Sequence, residues 1–206
     1  MSTALIVFAR APVPGQAKTR LIPALGAGGA AALAERLLAH TVDAAASAGF
    51  DHVELCVTPD ASHPAIRQLA RQHGLALTTQ GDGDLGARMH RALARSLQQH
   101  AHALLIGSDV PGLDAACLRQ ADAALATHDA VFVPALDGGY ALVGLRRAAP
   151  HLFDGMRWST PRVMQHTRRR AAAAGLRVAE LPPLPDIDEP ADLAHLPAGW
   201  LQAQSD

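Results

Sequence analysis

Ala103-Leu104-Leu105-Ile106-Gly107-Ser108-Asp109-Val110-Pro111 runs from an unbroken apolar segment into a polar turn. A strand that is apolar on both faces belongs to the middle of a parallel sheet covered by helices, so residues 103–107 predict a central strand. Working backward, the same rhythm recurs. Strands are expected at 4–9, 53–58 and 75–79, with helices over 28–48, 64–73 and from the glycine turn at 81–86 to about residue 99, the first two stopped by Gly49 and Gly74. Working forward, a helix at 114–126 leads to a strand at 130–133. The Asp137-Gly138-Gly139 turn then joins it to a strand at 140–145, and so tight a turn makes that pair antiparallel. Thr160-Pro161 reads as an N-cap followed by proline at the first helical position, opening a helix through Ala174. A strand at 176–181 precedes Leu181-Pro182-Pro183-Leu184-Pro185, a stiff extended crossing. The expected class is α/β: a mostly parallel twisted sheet with a late antiparallel strand, in one domain over residues 1–206. Such sheets bind ligands at the carboxyl ends of their strands.

Composition narrows the partners. With 18 Lys+Arg against 19 Asp+Glu and a formal net charge of −1, the chain is not built to neutralise a phosphate polymer, so no nucleic acid is expected. The two cysteines, Cys56 and Cys117, show neither disulfide nor zinc spacing, which fits a reducing cytoplasm. No apolar run reaches the roughly 18–20 residues of a membrane span, so no membrane partner is expected. Of the 18 basic residues, 17 are arginine. The only lysine is Lys18. Where arginine is used nearly everywhere, the surviving lysine points either to a need for a compact ammonium or to chance.

Lys18 lies in Arg10-Ala11-Pro12-Val13-Pro14-Gly15-Gln16-Ala17-Lys18-Thr19-Arg20-Leu21, directly after the first strand. Prolines fix φ, Gly15 permits a sharp bend, and Lys18 and Arg20 add charge, which together describe a phosphate cradle; an ordinary basic surface loop has the same composition. Walker spacing is absent. Asp109, where the central strand runs out, suits a divalent cation facing phosphates, or else a helix cap in competition with Asp114. Asp186-Ile187-Asp188-Glu189-Pro190 points Asp186 and Asp188 the same way by alternation, either into a site or into an acidic turn capping a last short helix. The glycine-dense turns carry Asp84 and Asp137, which suit hydrogen bonds from amino or hydroxyl groups, although hairpin chemistry alone also accounts for Asp137-Gly138-Gly139. No histidine pair has zinc spacing, and no Gly-x-Ser-x-Gly elbow occurs.

Six blocks in order, Phe8 to Leu21, Gly83 to Met89, Ile106 to Pro111, Asp137 to Tyr140, Trp158 to Val163 and Asp186 to Leu193, resemble the motifs of the DUF2064 family of GT-A-type glycosyltransferase-like proteins. The resemblance implies a three-layer αβα fold shared with molybdenum-cofactor and 2-phospholactate guanylyltransferases. It further implies catalytic roles for Lys18, Arg20 and Asp109, and a Mg²⁺ (or Mn²⁺) held by Asp109 and Asp188. Nucleotide contacts fall on Ala9, Arg10, Gly15, Lys18, Asp84, Arg88 and Ser108. Acceptor contacts fall on Asp137, Gly138, Gly139 and Tyr140, and on Trp158, Ser159 and Thr160. Two positions depart from the family habit: Arg10 stands where lysine is usual and Glu189 where threonine is usual. The implied partners are a nucleotide or nucleotide-sugar and a small-molecule acceptor. The loop suits a triphosphate, and Ser108-Asp109-Val110 lacks an Asp-x-Asp pair, so the motifs favour nucleotidyl transfer to a small phosphorylated acceptor. Glycosyl transfer and a non-catalytic nucleotide binder are the alternatives.

Overall fold

A computed structural model describes residues 2–200. Seven strands form one sheet: β1 (Thr3–Arg10), β2 (His52–Thr58), β3 (Ala76–Thr79), β4 (His102–Ile106), β5 (Ala130–Pro134), β6 (Tyr140–Leu145) and β7 (Val178–Glu180), in the spatial order β3-β2-β1-β4-β6-β5-β7. All neighbours run parallel except β6, which is antiparallel to both β4 and β5. The strand expected to be central is in the middle, and the late antiparallel strand is there.

Strand alternation divides the core between two faces. Leu5, Val7, Leu55, Leu104, Ile106 and Val131 point to one side, under α1 (Ile22–Ser47), α2 (Pro64–His73) and α4 (Ala115–Ala124). Ile6, Phe8, Cys56, Leu105, Phe132 and Val143 point to the other, under α3 (Leu85–Ser96) and α5 (Val163–Ala173). The result is three layers. By length and composition α1 could span a membrane, yet its Leu33, Leu37, Leu38, Val42 and Ala45 are buried in the molecule.

Several boundaries differ from expectation. Helix α1 starts at Ile22 rather than Gly28, but Gly26 (φ 70°, ψ 168°) breaks its regularity, so the continuous part begins close to where the pattern placed it. Thr160 does not cap α5. That helix starts at Val163, and the Thr160 hydroxyl donates instead to the Arg157 carbonyl at 3.1 Å. The proline-rich crossing does run extended, and Leu184 forms an isolated parallel bridge with Ala135.

The chain leaves β1 toward β2 and β3 on one side, then returns to place β4 on the other. The order therefore reverses between β1 and β4, and the loops after these two strands open a crevice at their carboxyl ends.

Candidate active site

The loop after β1 is folded tightly on itself. Ala11 and Ala17 are buried, Ala11 N–H donates to the Thr58 carbonyl, and Gln16 and Ala17 N–H both donate to the Val13 carbonyl at 3.0 Å. This turn delivers Lys18 over the sheet edge in the left-handed conformation (φ 46°, ψ 48°). An L-residue there costs roughly 1–2 kcal/mol, and strain of this kind gathers at functional positions. The Lys18 side chain is only 13% exposed, and its Nζ lies 3.5 Å from Asp109 Oδ2 and 3.7 Å from Asp188 Oδ1. Arg20 Nη1 reaches Asp188 Oδ2 at 2.9 Å and Glu189 Oε1 at 3.5 Å.

Two carboxylates 79 positions apart meet because the backbone clasps them together. Ile187 N–H donates to the Asp109 carbonyl at 2.9 Å, and the Ile187 side chain is fully buried with Leu21, Leu33 and Leu37. Alternation then sends Asp186 and Asp188 to the opposite side, toward the crevice. Asp192 fixes the turn by accepting from the N–H groups of Asp188 (3.0 Å) and Glu189 (2.6 Å). The acidic segment is thus both a cap for the 3₁₀ turn Pro190–His195 and a presenter of Asp188.

The crevice has adjoining chambers, two of which take up most of the expected residues; a further cavity of about 290 Å³ sets Arg20 and His195 beside Asp137, Asp186 and Asp188. The first, about 500 Å³, is walled by Phe8, Ala9 and Arg10, by Lys18 and Arg20, by Arg88, and by Gly107, Ser108, Asp109 and Asp188. Four cations therefore face two carboxylates. Gln80 and Thr58, which the motifs did not single out, also line it; the Gln80 amide donates to the Ala9 carbonyl (3.2 Å) and the Cys56 carbonyl (3.3 Å), tying the ends of β1 and β2 together. The only signal in the sequence was a glutamine directly after the strand expected at 75–79. Arg88 is held by donating its Nε–H to the Gly83 carbonyl at 2.9 Å.

The second chamber, about 270 Å³, shares Leu85, Asp109 and Asp188 with the first and adds Asp137, Gly139, Tyr140, Trp158, Ser159, Thr160 and Asp186. Among the described residues, neither lysine, arginine nor histidine stands on its wall. Ser159 (φ 57°), with Lys18 one of the two non-glycine residues with positive φ among the described residues, turns the chain here. Gly86 makes room for Trp158: a Cβ at that position would lie 2.8 Å from both the indole ring and the Phe153 carbonyl oxygen. Burial, then the neighbouring Asp137 carboxylate, with Asp109 and Asp192 adding, pushes Asp186 up to about 6. Burial also holds the Tyr140 phenol well above its ordinary range.

Three expected contact residues stand off these walls. Gly15 (φ 79°) makes the loop's bend, the Asp84 carboxylate accepts from Ala87 N–H at 2.8 Å and caps α3, and Gly138 (φ 91°) lies against the Pro161 backbone. Asp114, not Asp109, caps α4.

The donor set fits one hard divalent ion. Both carboxylates already converge on a single cationic atom, and Mg²⁺ takes one or two protein carboxylates while phosphate oxygens and water complete its octahedron. Among the described residues no group of three or more His, Cys, Asp or Glu forms a self-sufficient metal cage.

The profile of DUF2064, described as uncharacterized proteins conserved in bacteria, matches residues 41–160. The chain belongs to the DUF2064 family. Over 94% of its length it also matches 85% of a protein from Desulfovibrio desulfuricans G20, provisionally described as a nucleotide-diphospho-sugar transferase, with 32% identity and a TM-score of 0.86. Two more distant structures share the fold. One is 4-diphosphocytidyl-2C-methyl-D-erythritol synthase from Anaerococcus prevotii (11% identity, TM-score 0.63, 94% of this chain and 95% of that one). The other is glucosyl-3-phosphoglycerate synthase from Mycobacterium tuberculosis, in complex with Mn²⁺, UDP and glucosyl-3-phosphoglycerate (11%, 0.58, 94% and 75%). No curated protein matches the sequence. In this DUF2064 protein the residues of the six blocks, separated in sequence, largely gather around the two chambers at the β1/β4 switch point.

Proposed function

We propose that this protein is a divalent-metal-dependent transferase that moves a nucleotidyl group from a nucleoside triphosphate to a small acceptor. The observation that carries this reading is the Lys18 ammonium seated between Asp109 and Asp188 in a chamber that also holds Arg10, Arg20 and Arg88. That arrangement offers a polyphosphate four cations and a two-carboxylate metal seat. Asp109 and Asp188 would hold Mg²⁺ or Mn²⁺, which supplies electrostatic stabilisation of charge on phosphate oxygens. Lys18 and the three arginines hold and orient the phosphate chain, each donor of this type being worth about 10²- to 10³-fold in rate. Tyr140, Trp158 and Thr160 position the acceptor beside it. The acceptor oxygen forms a bond to the α-phosphorus as the bond to the α–β bridging oxygen breaks. Pyrophosphate leaves with the electron pair, and the acceptor's proton passes to solvent.

A second reading is glycosyl transfer, favoured by the description of the D. desulfuricans relative. There the acceptor oxygen bonds the anomeric carbon and a nucleoside diphosphate leaves. Against it stands Ser108-Asp109-Val110, which places one acid rather than a pair after β4. The test measures pyrophosphate and nucleoside diphosphate release in parallel, from panels of triphosphates and nucleotide-sugars with Mg²⁺ and a cellular small-molecule extract as acceptor source. Pyrophosphate supports the first reading and nucleoside diphosphate the second. Nucleotide binding with neither product leaves a binding protein without turnover.

A further inference from the structure

We propose that the second chamber selects an uncharged or amine-bearing polyhydroxy acceptor, sugar- or polyol-like, that reacts through a hydroxyl and carries no phosphate, in place of the phosphorylated acceptor expected from the motifs. The inference rests on the transferase reading and goes beyond it by fixing the acceptor's chemical class.

Charge is divided between the two chambers. Arg10, Lys18, Arg20 and Arg88 line the first, where a nucleotide's phosphates would occupy them; Arg20 also reaches the neighbouring cavity beside Asp137 and Asp186 but not the second chamber's wall. The second is walled by Asp137 and Asp186 as well as by the shared Asp109 and Asp188, with no cationic side chain. Asp109 and Asp188 are offset by Lys18 and Arg20, but Asp137 and Asp186 have no ion-pair partner among the described residues, so a phosphate or carboxylate placed against them would be desolvated beside like charge. Hydroxyl and ammonium groups, by contrast, are the donors that carboxylates accept. The remaining surface suits such a molecule too. Tyr140 and Trp158 meet edge to face, with centroids 6.4 Å apart, and present ring surface for the apolar side of a sugar or for an ammonium. The Tyr140 hydroxyl makes no hydrogen bond to another described residue, so it is available to a ligand. At about 270 Å³ the chamber lies just below the range of drug-sized pockets, about 300–1,000 Å³, which suits a single small ring or short polyol. In the transfer the acceptor's hydroxyl oxygen makes the new bond, the leaving phosphate takes the electron pair of the broken bond, and the hydroxyl proton passes to solvent.

The experiment uses the full chain with Mg²⁺ and the panels of triphosphates and nucleotide-sugars. The acceptor probes are two halves of a cellular small-molecule extract, divided on an anion exchanger into retained (anionic) and unretained (neutral and cationic) fractions. Product release driven by the unretained fraction is expected, with Asp137→Asn and Tyr140→Phe each lowering kcat/KM for that fraction at least tenfold while the nucleotide KM stays within twofold. Release driven by the retained fraction would overturn the acceptor assignment and leave the transferase reading standing. So would release from the unretained fraction that both variants support as well as the wild type does. Nucleotide binding with no release from either fraction would overturn both.

Discussion

Replacing Lys18 separates the roles the structure gives it, because the backbone and the ammonium make opposite contributions. Lys18→Ala removes two ion pairs, at 3.5 and 3.7 Å, to carboxylates that are 42% and 41% exposed. Pairs so open to solvent are worth about 0.2–1 kcal/mol each, so the fold should survive with a loss near 1 kcal/mol. Lys18→Gly loses the same pairs but relieves the left-handed backbone, so it should be about 1 kcal/mol more stable than Lys18→Ala, or about 2–4 °C in Tm for a chain of this size. Ligand binding should split by sign. Without the ammonium, Asp109 is freed and Asp188 keeps only Arg20, so Mg²⁺ alone should bind both variants more tightly than wild type. Nucleotide triphosphate should bind more weakly, and turnover should fall about 10²- to 10³-fold. Thermal unfolding with Mg²⁺, with nucleotide and with both, alongside product release, reads every term. Variants that retain wild-type nucleotide binding and turnover would refute the phosphate role, and weaker Mg²⁺ binding would refute the shared carboxylate seat.

Three further outcomes are expected. In wild type, nucleotide with Mg²⁺ at about 100 times Kd should add about 2.7 kcal/mol. Asp109→Asn or Asp188→Asn should each abolish most of that gain in calorimetry, and the double variant should be little worse than either single one because both act in one site. Asp186, raised in the folded state to about 6, destabilises the fold when ionised: its contribution is most favourable below its unfolded value near 4 and is lost as pH rises through about 6. Asp186→Asn measured in EDTA should therefore raise stability by on the order of 1–2 kcal/mol at pH 7.5, discounted for partial exposure, and have no such effect at pH 3.5, so a flat difference between the two pH values would contradict the assignment. Gly86→Ala should cost about 1–3 kcal/mol in denaturant unfolding, because its Cβ meets the Trp158 ring and the Phe153 carbonyl at 2.8 Å.

The features legible in the sequence were those with local causes. Ala103 to Ile106 announces a doubly covered strand by apolarity alone, and Asp137-Gly138-Gly139 forces the antiparallel return of β6. The pairing of Asp109 with Asp188 was readable as far as alternation reaches: Asp186 and Asp188 share a side because Ile187 takes the other. Apart from the cap at Asp84, what escaped depends on contacts distant in the chain. Asp84 looked like a ligand contact, yet a carboxylate one residue before a helix is captured by that helix's own N–H groups. Thr160-Pro161 has the spelling of a helix start, but the close approach of Gly138 to Pro161 and the turn at Ser159 hold that stretch outside the helix. The Gln80 amide joins β1 to β2, a link that no spacing encodes. The acidity of the second chamber likewise arises only when three separate segments, ending in Asp109, Asp137 and Asp186, are folded together.

The most direct test of the account is a crystal structure of the protein with Mn²⁺ and a nucleoside triphosphate, in which anomalous scattering locates the ion. The account predicts Mn²⁺ bound by carboxylate oxygens of both Asp109 and Asp188 at about 2.0–2.3 Å, with phosphate oxygens completing its shell and Lys18 moved from the carboxylates onto the phosphates. An ion that touches neither Asp109 nor Asp188, or a nucleotide seated away from Lys18, would contradict it.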